Sequence, residues 1–133
     1  MRYLFYVLAV LMFLAAAVQY NDPDGPLWMV YYGVPMIWCA LAAVRPALFE
    51  NSAVRGLLAV SVVAAIALTI GYWPTAAGFW HEQVWRMGMT EPEAARIAEE
   101  SREGMGMMIA TAVLLVVAIW SLLRRPQQQL RAS

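Results

Sequence analysis

Four long apolar stretches, separated by shorter polar ones, set the pattern of the chain. They cover about residues 3–20, 27–44, 54–72 and 105–123. A helix needs roughly 20 apolar residues to cross the hydrocarbon core of a bilayer, and each stretch comes close to that length. None of them alternates apolar and polar residues as a strand does, and open sheets cannot face lipid. The pattern predicts an all-α fold, a four-helix transmembrane bundle in which residues 1–133 form a single integral membrane domain.

The composition supports a membrane location and gives no argument for a nucleic-acid partner. Hydrophobic residues make up 62% of the 133 residues and charged residues 14%, compared with about 45–50% and about 25% in soluble domains. The net charge is zero, and all nine basic residues are Arg. Arg without Lys, together with many Ala, favours a bacterial source, so we expect the inner (plasma) membrane, with the lipid bilayer as main partner. The single Cys39 has no second Cys for an internal disulfide.

The arginines predict the orientation in the membrane. With four spans, three arginines lie on one side and six on the other, the six being Arg2, Arg45, Arg55, Arg124, Arg125 and Arg131. Cytoplasmic loops are enriched in Arg and Lys, so both termini, including the tail 124–133, are predicted to be cytoplasmic. The tail is polar and predicted to be disordered. All acids except Glu50 lie on the opposite side, which we expect to be outer and acidic.

The first apolar stretch has a second interpretation. Arg2, a short apolar run and Ala15-Ala16-Ala17 also fit a secretory signal peptide. Cleavage would leave the orientation of the other spans unchanged. Whether the first helix is retained therefore stays open.

The loop between the third and fourth spans, residues 73–104, is long enough to carry its own structure. Its first part, 73–89, is aromatic and amphipathic and is predicted to lie on the membrane surface. Its second part begins with a helix-start signal, because Thr90 and Glu93 have the spacing of a capping box and Pro92 suits the first turn. No helix breaker follows before Gly104, so this helix is predicted to continue into the fourth span.

The charges on this predicted helix leave one carboxylate without a partner. Arg96 lies four residues before Glu100, and Glu99 lies three before Arg102, spacings at which opposite charges attract on a helix. Glu103 has only like charges at those spacings and lies at the membrane boundary, where an unpaired carboxylate is costly. We therefore expect a cation or a positively charged side chain close to the Glu103 carboxylate.

Two motifs together resemble the transmembrane protein 220 family. They are VQYNDPDGPLWMVYYGVPMIW (residues 18–38), with an N-D-P-D turn before a Pro-containing helix, and EESREGMGMMIATAV (residues 99–113), with R-E-x-x-G at the start of the last helix. The resemblance implies a four-span membrane protein with no established biochemical activity. It nominates a polar cluster at one end of the bundle: Asn21, Asp22, Asp24, Arg102, Glu103 and, beside it, Glu99.

This cluster has a structural and a functional interpretation. In the structural one, Arg102 pairs with Asp22 or Asp24, while the side chains of Asn21 and Asp22 cap helix ends. In the functional one, oxygen ligands with one His hold a divalent metal. The candidate metal ligands are Asp22, Asp24, His81, Glu82, Glu99 and Glu103.

The sequence leaves the reaction open but ranks two function classes. The first is a non-enzymatic structural or ligand-binding membrane component with an acidic outer cap, which binds a small ligand, a protein partner or a second copy. The alternative is a metal-dependent membrane enzyme, hydrolase-like, in which the metal at the carboxylates activates water. His81 and Glu82 do not form the HExxH zinc motif, because Trp85 stands where the second His is required.

Overall fold

Four long helices account for almost all of the described chain. The structure, a computed structural model, describes residues 1–75 and 91–132, with backbone alone after Arg124. The helices are α1 Arg2–Ala17, α2 Gly25–Val44, α3 Ser52–Gly71 and α4 Pro92–Ala132. Two 3-10 turns, Val18–Asn21 and Pro46–Glu50, follow α1 and α2. All four helices are long and apolar enough to cross a membrane, and residues 1–75 and 91–132 contain no strand, which confirms the predicted all-α transmembrane bundle.

The helices pack in the order α1, α2, α4, α3, each against the next. The two central helices are the more buried: 39% of the apolar window of α2 and 44% of that of α4 are buried, against 11% in α1 and in α3. The outer pair therefore leaves most of its apolar surface to lipid. We call the end with residues 19–25 the turn end, and the end with Met1 and Arg124 the terminal end.

Polar side chains connect helices within the apolar interior. The hydroxyls of Thr69 on α3 and Thr111 on α4 lie 2.7 Å apart, and Thr111 also donates to the carbonyl of Ala65 at 3.1 Å. Trp38 of α2 is buried, and its Nε1 donates to Ser61 Oγ of α3 at 3.1 Å. In an apolar medium such bonds favour association because the alternative partner for a hydroxyl is lipid.

The last helix is longer than the predicted fourth span. It begins at Pro92, the first helical residue, and passes through Gly104 and Gly106 without a break, as predicted for a loop helix that continues into the span. The predicted disordered tail differs from the structure, in which the backbone stays helical to Ala132. The reason lies in the composition: after Pro126 the tail holds Gln, Leu, Arg and Ala, which favour helix.

Candidate functional site at the turn end

The N-D-P-D turn is closed by its own backbone. The N–H of Asp22 donates to the carbonyl of Gln19 at 3.1 Å, and the N–H of Gly25 donates to the carbonyl of Asp22 at 2.9 Å. A side chain at Gly25 would overlap the carbonyl of Gln19, so this position requires Gly. The turn thereby delivers Asp24 to the first position before α2, at the surface of the bundle.

Asp24 uses its carboxylate within the site rather than as a helix cap. Its Oδ2 accepts a hydrogen bond from Trp28 Nε1 at 2.8 Å, and neither helix end beside the turn has a side-chain cap. The predicted side-chain caps differ from the structure: Asp24 rather than Asn21 or Asp22 is the N-cap residue of α2, and Asp22 is the C-cap residue of the preceding 3-10 turn through its backbone N–H. The Trp28 bond fixes the Asp24 carboxylate beside the indole.

Four aromatic rings pack against one another below Asp24. We call Trp28, Tyr31, Tyr32 and Tyr72 the aromatic cluster. The ring centroid of Trp28 lies 5.4 Å from that of Tyr31, 5.4 Å from that of Tyr72 and 6.0 Å from that of Tyr32. The contacts with Tyr31 and Tyr72 are edge-to-face, the arrangement that aromatic quadrupoles prefer. The cluster joins the start of α2 to the end of α3.

Glu103 of α4 is the second carboxylate of the site. It is half-buried, and its charge acts on Tyr32 and Tyr72 of the aromatic cluster. The charge of Asp24 acts on both Glu103 and Tyr72. Two carboxylates from different helices therefore converge on one group of rings. Because like charges so placed repel, the site attracts positive charge.

The pKa of Tyr72, the residue that follows α3, is raised by this environment. Its hydrogen bond to Tyr31 raises its pKa to about 12, with burial and the nearby charges of Glu103 and Asp24 adding to the effect. Each of these causes disfavours the phenolate. Tyr72 therefore stays a neutral hydroxyl throughout the physiological pH range.

Two glycines let α4 approach the aromatic cluster. A side chain at Gly106 would overlap the hydroxyl of Tyr32. At Gly104, an added Cβ would lie 2.5 Å from Cγ of Pro74 and 2.6 Å from the carbonyl oxygen of Tyr72. Small residues of this kind allow close backbone approach between membrane helices. They bring Glu103, which directly precedes Gly104, onto the cluster.

Comparison with known proteins connects both motifs of the site to one family. The sequence profile of the family described as "Transmembrane family 220, helix" matches residues 11–119, a range that includes the N-D-P-D turn and the R-E-x-x-G segment. The chain belongs to transmembrane family 220. The match confirms the resemblance noted from the motifs, and with the four apolar helices it establishes an integral membrane protein. No solved structure matches the chain.

In this member of transmembrane family 220, the remaining charges of α4 are arranged around Glu100. The predicted pair is confirmed, with Arg96 Nη1 3.2 Å from Glu100 Oε2. Thr75 adds two hydrogen bonds that the sequence did not suggest, donating its N–H at 3.1 Å and its hydroxyl at 2.8 Å to Glu100 Oε1. Glu100 therefore ties the start of α4 to the chain that leaves α3.

The predicted ion pair between Arg102 and Asp22 or Asp24 is not formed in the described part of the structure. Within residues 1–75 and 91–132, Arg102 forms no ion pair with Asp22 or Asp24. Glu103 is the residue whose charge reaches Asp24, and successive residues point about 100° apart around a helix. Among the described residues, the two motifs therefore meet through the charges of two acids, Asp24 and Glu103.

The predicted metal site stays a prediction. Among the described residues, no group of three or more His, Cys, Asp or Glu side chains is placed to hold a metal ion. Of the proposed ligands, Asp22 and Glu99 are exposed, and His81 and Glu82 lie outside the described residues. The amphipathic segment and the capping box at Thr90 also lie largely in that undescribed range, residues 76–90. The metal-dependent enzyme and a protein partner at this end are likewise untested.

In this family 220 member, the sequence predicts the two acids of the site but not all of the residues that surround them. The sequence predicts Asp24 and Glu103 as site residues but not Tyr72, Thr75 or Gly104. Aromatic residues alone do not single out a site here, because Trp and Tyr are favoured at the membrane interface in any membrane protein. A useful signal was present: the predicted topology places Tyr72 at the same end as both acids.

Proposed function

We propose that this member of transmembrane family 220 is a non-enzymatic membrane component that binds an organic ammonium group at the turn end. The observation that carries the proposal is the convergence of Asp24 and Glu103 on the aromatic cluster. Neither carboxylate has an ion-pair partner among residues 1–75 and 91–132. The site thus combines negative charge with aromatic surface.

An ammonium ligand satisfies each part of this arrangement. Its positive charge relieves the repulsion between the two carboxylates. Ring faces attract cations by about 0.5–1 kcal/mol at exposed sites and about 2 kcal/mol when water is excluded. The hydroxyls of Tyr31 and Tyr32 add hydrogen-bond acceptors for the N–H groups of a primary ammonium.

The proposed orientation places this site outside the cytoplasm. Of the nine arginines, six lie on the terminal side of the spans and three on the turn side. This bias supports cytoplasmic termini and a location in the bacterial inner membrane. The ligand then reaches the site from the outer side of the membrane, at the depth where the spans end.

Calorimetric titration tests the proposal directly. The full chain is placed in nanodiscs of phosphatidylglycerol, which has no ammonium headgroup, and titrated with ethanolamine and with choline. We expect saturable binding, weakened about tenfold by Asp24→Asn or Glu103→Gln, which corresponds to about 1.4 kcal/mol. Circular dichroism and size-exclusion chromatography check that each variant is folded.

The matched control is Glu93→Gln, which removes one exposed carboxylate from the first turn of α4. It is expected to leave binding unchanged. If Glu93→Gln weakens binding as much as Glu103→Gln, bulk charge rather than the site attracts the ligand and the proposal fails. It also fails if the folded protein binds neither amine. Should both site variants misfold, Tyr31→Phe provides the remaining comparison.

A further inference from the structure

The terminal end carries the opposite charge from the turn end. Four described arginines lie there, one from each helix or its end: Arg2, Arg45, Arg55 and Arg124. Glu50 is the acid at this end among the described residues. We call Arg45, Arg55 and Arg124 the arginine layer, since Arg45 precedes the 3-10 turn Pro46–Glu50, Arg55 follows it in the first turn of α3, and Arg124 contacts its Pro46.

Arg124 is held in place by its neighbours, and among the described residues a single hydrogen-bond acceptor, the carbonyl of Pro46, contacts it. Its Nη1 donates to the carbonyl of Pro46 at 3.1 Å, and its guanidinium lies 4.9 Å from the ring centroid of Trp120. Trp120 in turn packs edge-on against Phe5 at 4.8 Å and Phe49 at 5.2 Å. A guanidinium has five N–H donors, so an oriented group with free donors remains.

Arg55 is half-buried, in the first turn of α3. Its Nε is enclosed without a hydrogen-bond partner, and Arg55 forms no ion pair with the described residues. Helices α3 and α4 run antiparallel, and Thr69 and Ala65 of α3 contact Thr111 of α4, which sets the first turn of α3 level with Arg124. Arg55 and Arg124 therefore lie at the same depth. A partly desolvated cation is unfavourable unless an anion joins it.

We propose that the arginine layer binds the phosphate group of an anionic phospholipid. Phosphate oxygens match the forked donors of a guanidinium, and the layer lies where the spans end, at headgroup depth. Leu57 and Leu123, 61% and 68% exposed, offer apolar surface beside it for the acyl chains. Anionic lipids are also enriched in the cytoplasmic leaflet, which agrees with the proposed orientation. This site shares no residue with the ammonium site.

Thermal unfolding in detergent tests the proposal. The full chain is titrated with phosphatidylglycerol, with phosphatidylcholine and with inorganic phosphate, followed by intrinsic fluorescence. We expect a saturable rise of Tm with phosphatidylglycerol alone, since a ligand that binds the folded state stabilises it. Arg55→Gln and Arg124→Gln are each expected to reduce that rise by at least half, and Arg55→Lys to keep part of it because its charge remains.

The matched control is Arg96→Gln, which removes an exposed arginine at the turn end. It is expected to keep the full rise. Equal effects of phosphatidylglycerol and phosphatidylcholine would overturn the proposal, as would an equal loss in Arg96→Gln. A rise with inorganic phosphate would show a free-anion site instead of a lipid site. If Arg55→Gln does not fold, Arg55→Lys and Arg124→Gln decide, with native mass spectrometry counting the retained lipid.

Discussion

At the scale of single residues, the site depends on which of two neighbours faces the turn. Glu103, rather than Arg102, has its charge close to Asp24. The sequence identifies both residues by their motif but cannot choose between them, because the helix rotation that decides is set by packing. That packing is visible in Gly106, whose missing side chain admits the Tyr32 hydroxyl. The residue types were thus predictable, and their pairing was not.

The pKa of Tyr72 gives the first prediction at this scale. Its largest cause is the hydrogen bond to Tyr31, which raises the pKa to about 12. Tyr31→Phe removes the acceptor, so the Tyr72 pKa is expected to fall towards 10. The Tyr72 pKa is measured by following phenolate absorbance while the detergent-solubilised protein is titrated to alkaline pH. The control Tyr20→Phe removes an exposed phenol, 72% exposed, and should leave the late-titrating group in place.

The same shift has a consequence for stability. A raised pKa stabilises the protonated phenol in the folded state, so its contribution is present below about pH 10 and lost as pH rises through about 12. Tyr72→Phe should therefore lose less stability than the wild type over that range. Unfolding by SDS at stepped pH values measures the difference. An identical decline in both proteins would contradict the assignment.

Gly106 gives the third prediction. Gly106→Ala forces the Tyr32 hydroxyl or α4 to move, at an expected cost of about 1–3 kcal/mol in the free energy of unfolding. The matched control is Gly33→Ala, since Gly33 lies in α2 with nothing within 4 Å of an added Cβ. That control should be neutral or stabilising, because Ala favours helix over Gly. Equal effects of the two substitutions would show that close approach is not what Gly106 provides.

At the scale of helices, hydropathy predicts the spans but not their neighbours. The four apolar stretches coincide with four helices because lipid requires helical backbone over that length. The order α1, α2, α4, α3 is set by features that hydropathy ignores. Among them are the small residues Gly104 and Gly106 and the hydroxyls of Thr69 and Thr111. In a helix that is apolar on all sides, these few positions determine which face meets which partner.

The threonine pair gives a prediction for the α3–α4 contact. Thr111→Val keeps the shape but removes the hydroxyl that lies 2.7 Å from Thr69 and 3.1 Å from the carbonyl of Ala65. The expected loss is about 0.6–2 kcal/mol, the range of hydrogen bonds between membrane helices. Thr111→Ser keeps the hydroxyl and should retain most of the stability. SDS unfolding of the three proteins measures this, and equal losses in both variants would assign the effect to packing.

At the scale of the whole molecule, the bundle has two ends of opposite chemistry. The turn end presents Asp24 and Glu103 with aromatic rings, and the terminal end presents half-buried Arg55 and Arg124. Arginine counts predict this polarity because the spans alternate in direction. They do not predict that Asp24, Glu103 and Arg55 form no ion pair with the described residues, since this depends on side-chain directions. The proposed ammonium and lipid sites would each bring a counter-charge to one of these two ends.

This polarity leads to a prediction of orientation that labelling in intact cells can check. The native Cys39 is 0% exposed, so the wild-type protein should not react with a membrane-impermeant maleimide. Asp22→Cys and Ala47→Cys place a thiol at an exposed position on the turn end and the terminal end respectively. We expect Asp22→Cys to be labelled in intact bacterial cells and Ala47→Cys only after permeabilisation. The reverse result would place the arginine layer outside and separate the lipid proposal from the cytoplasmic leaflet.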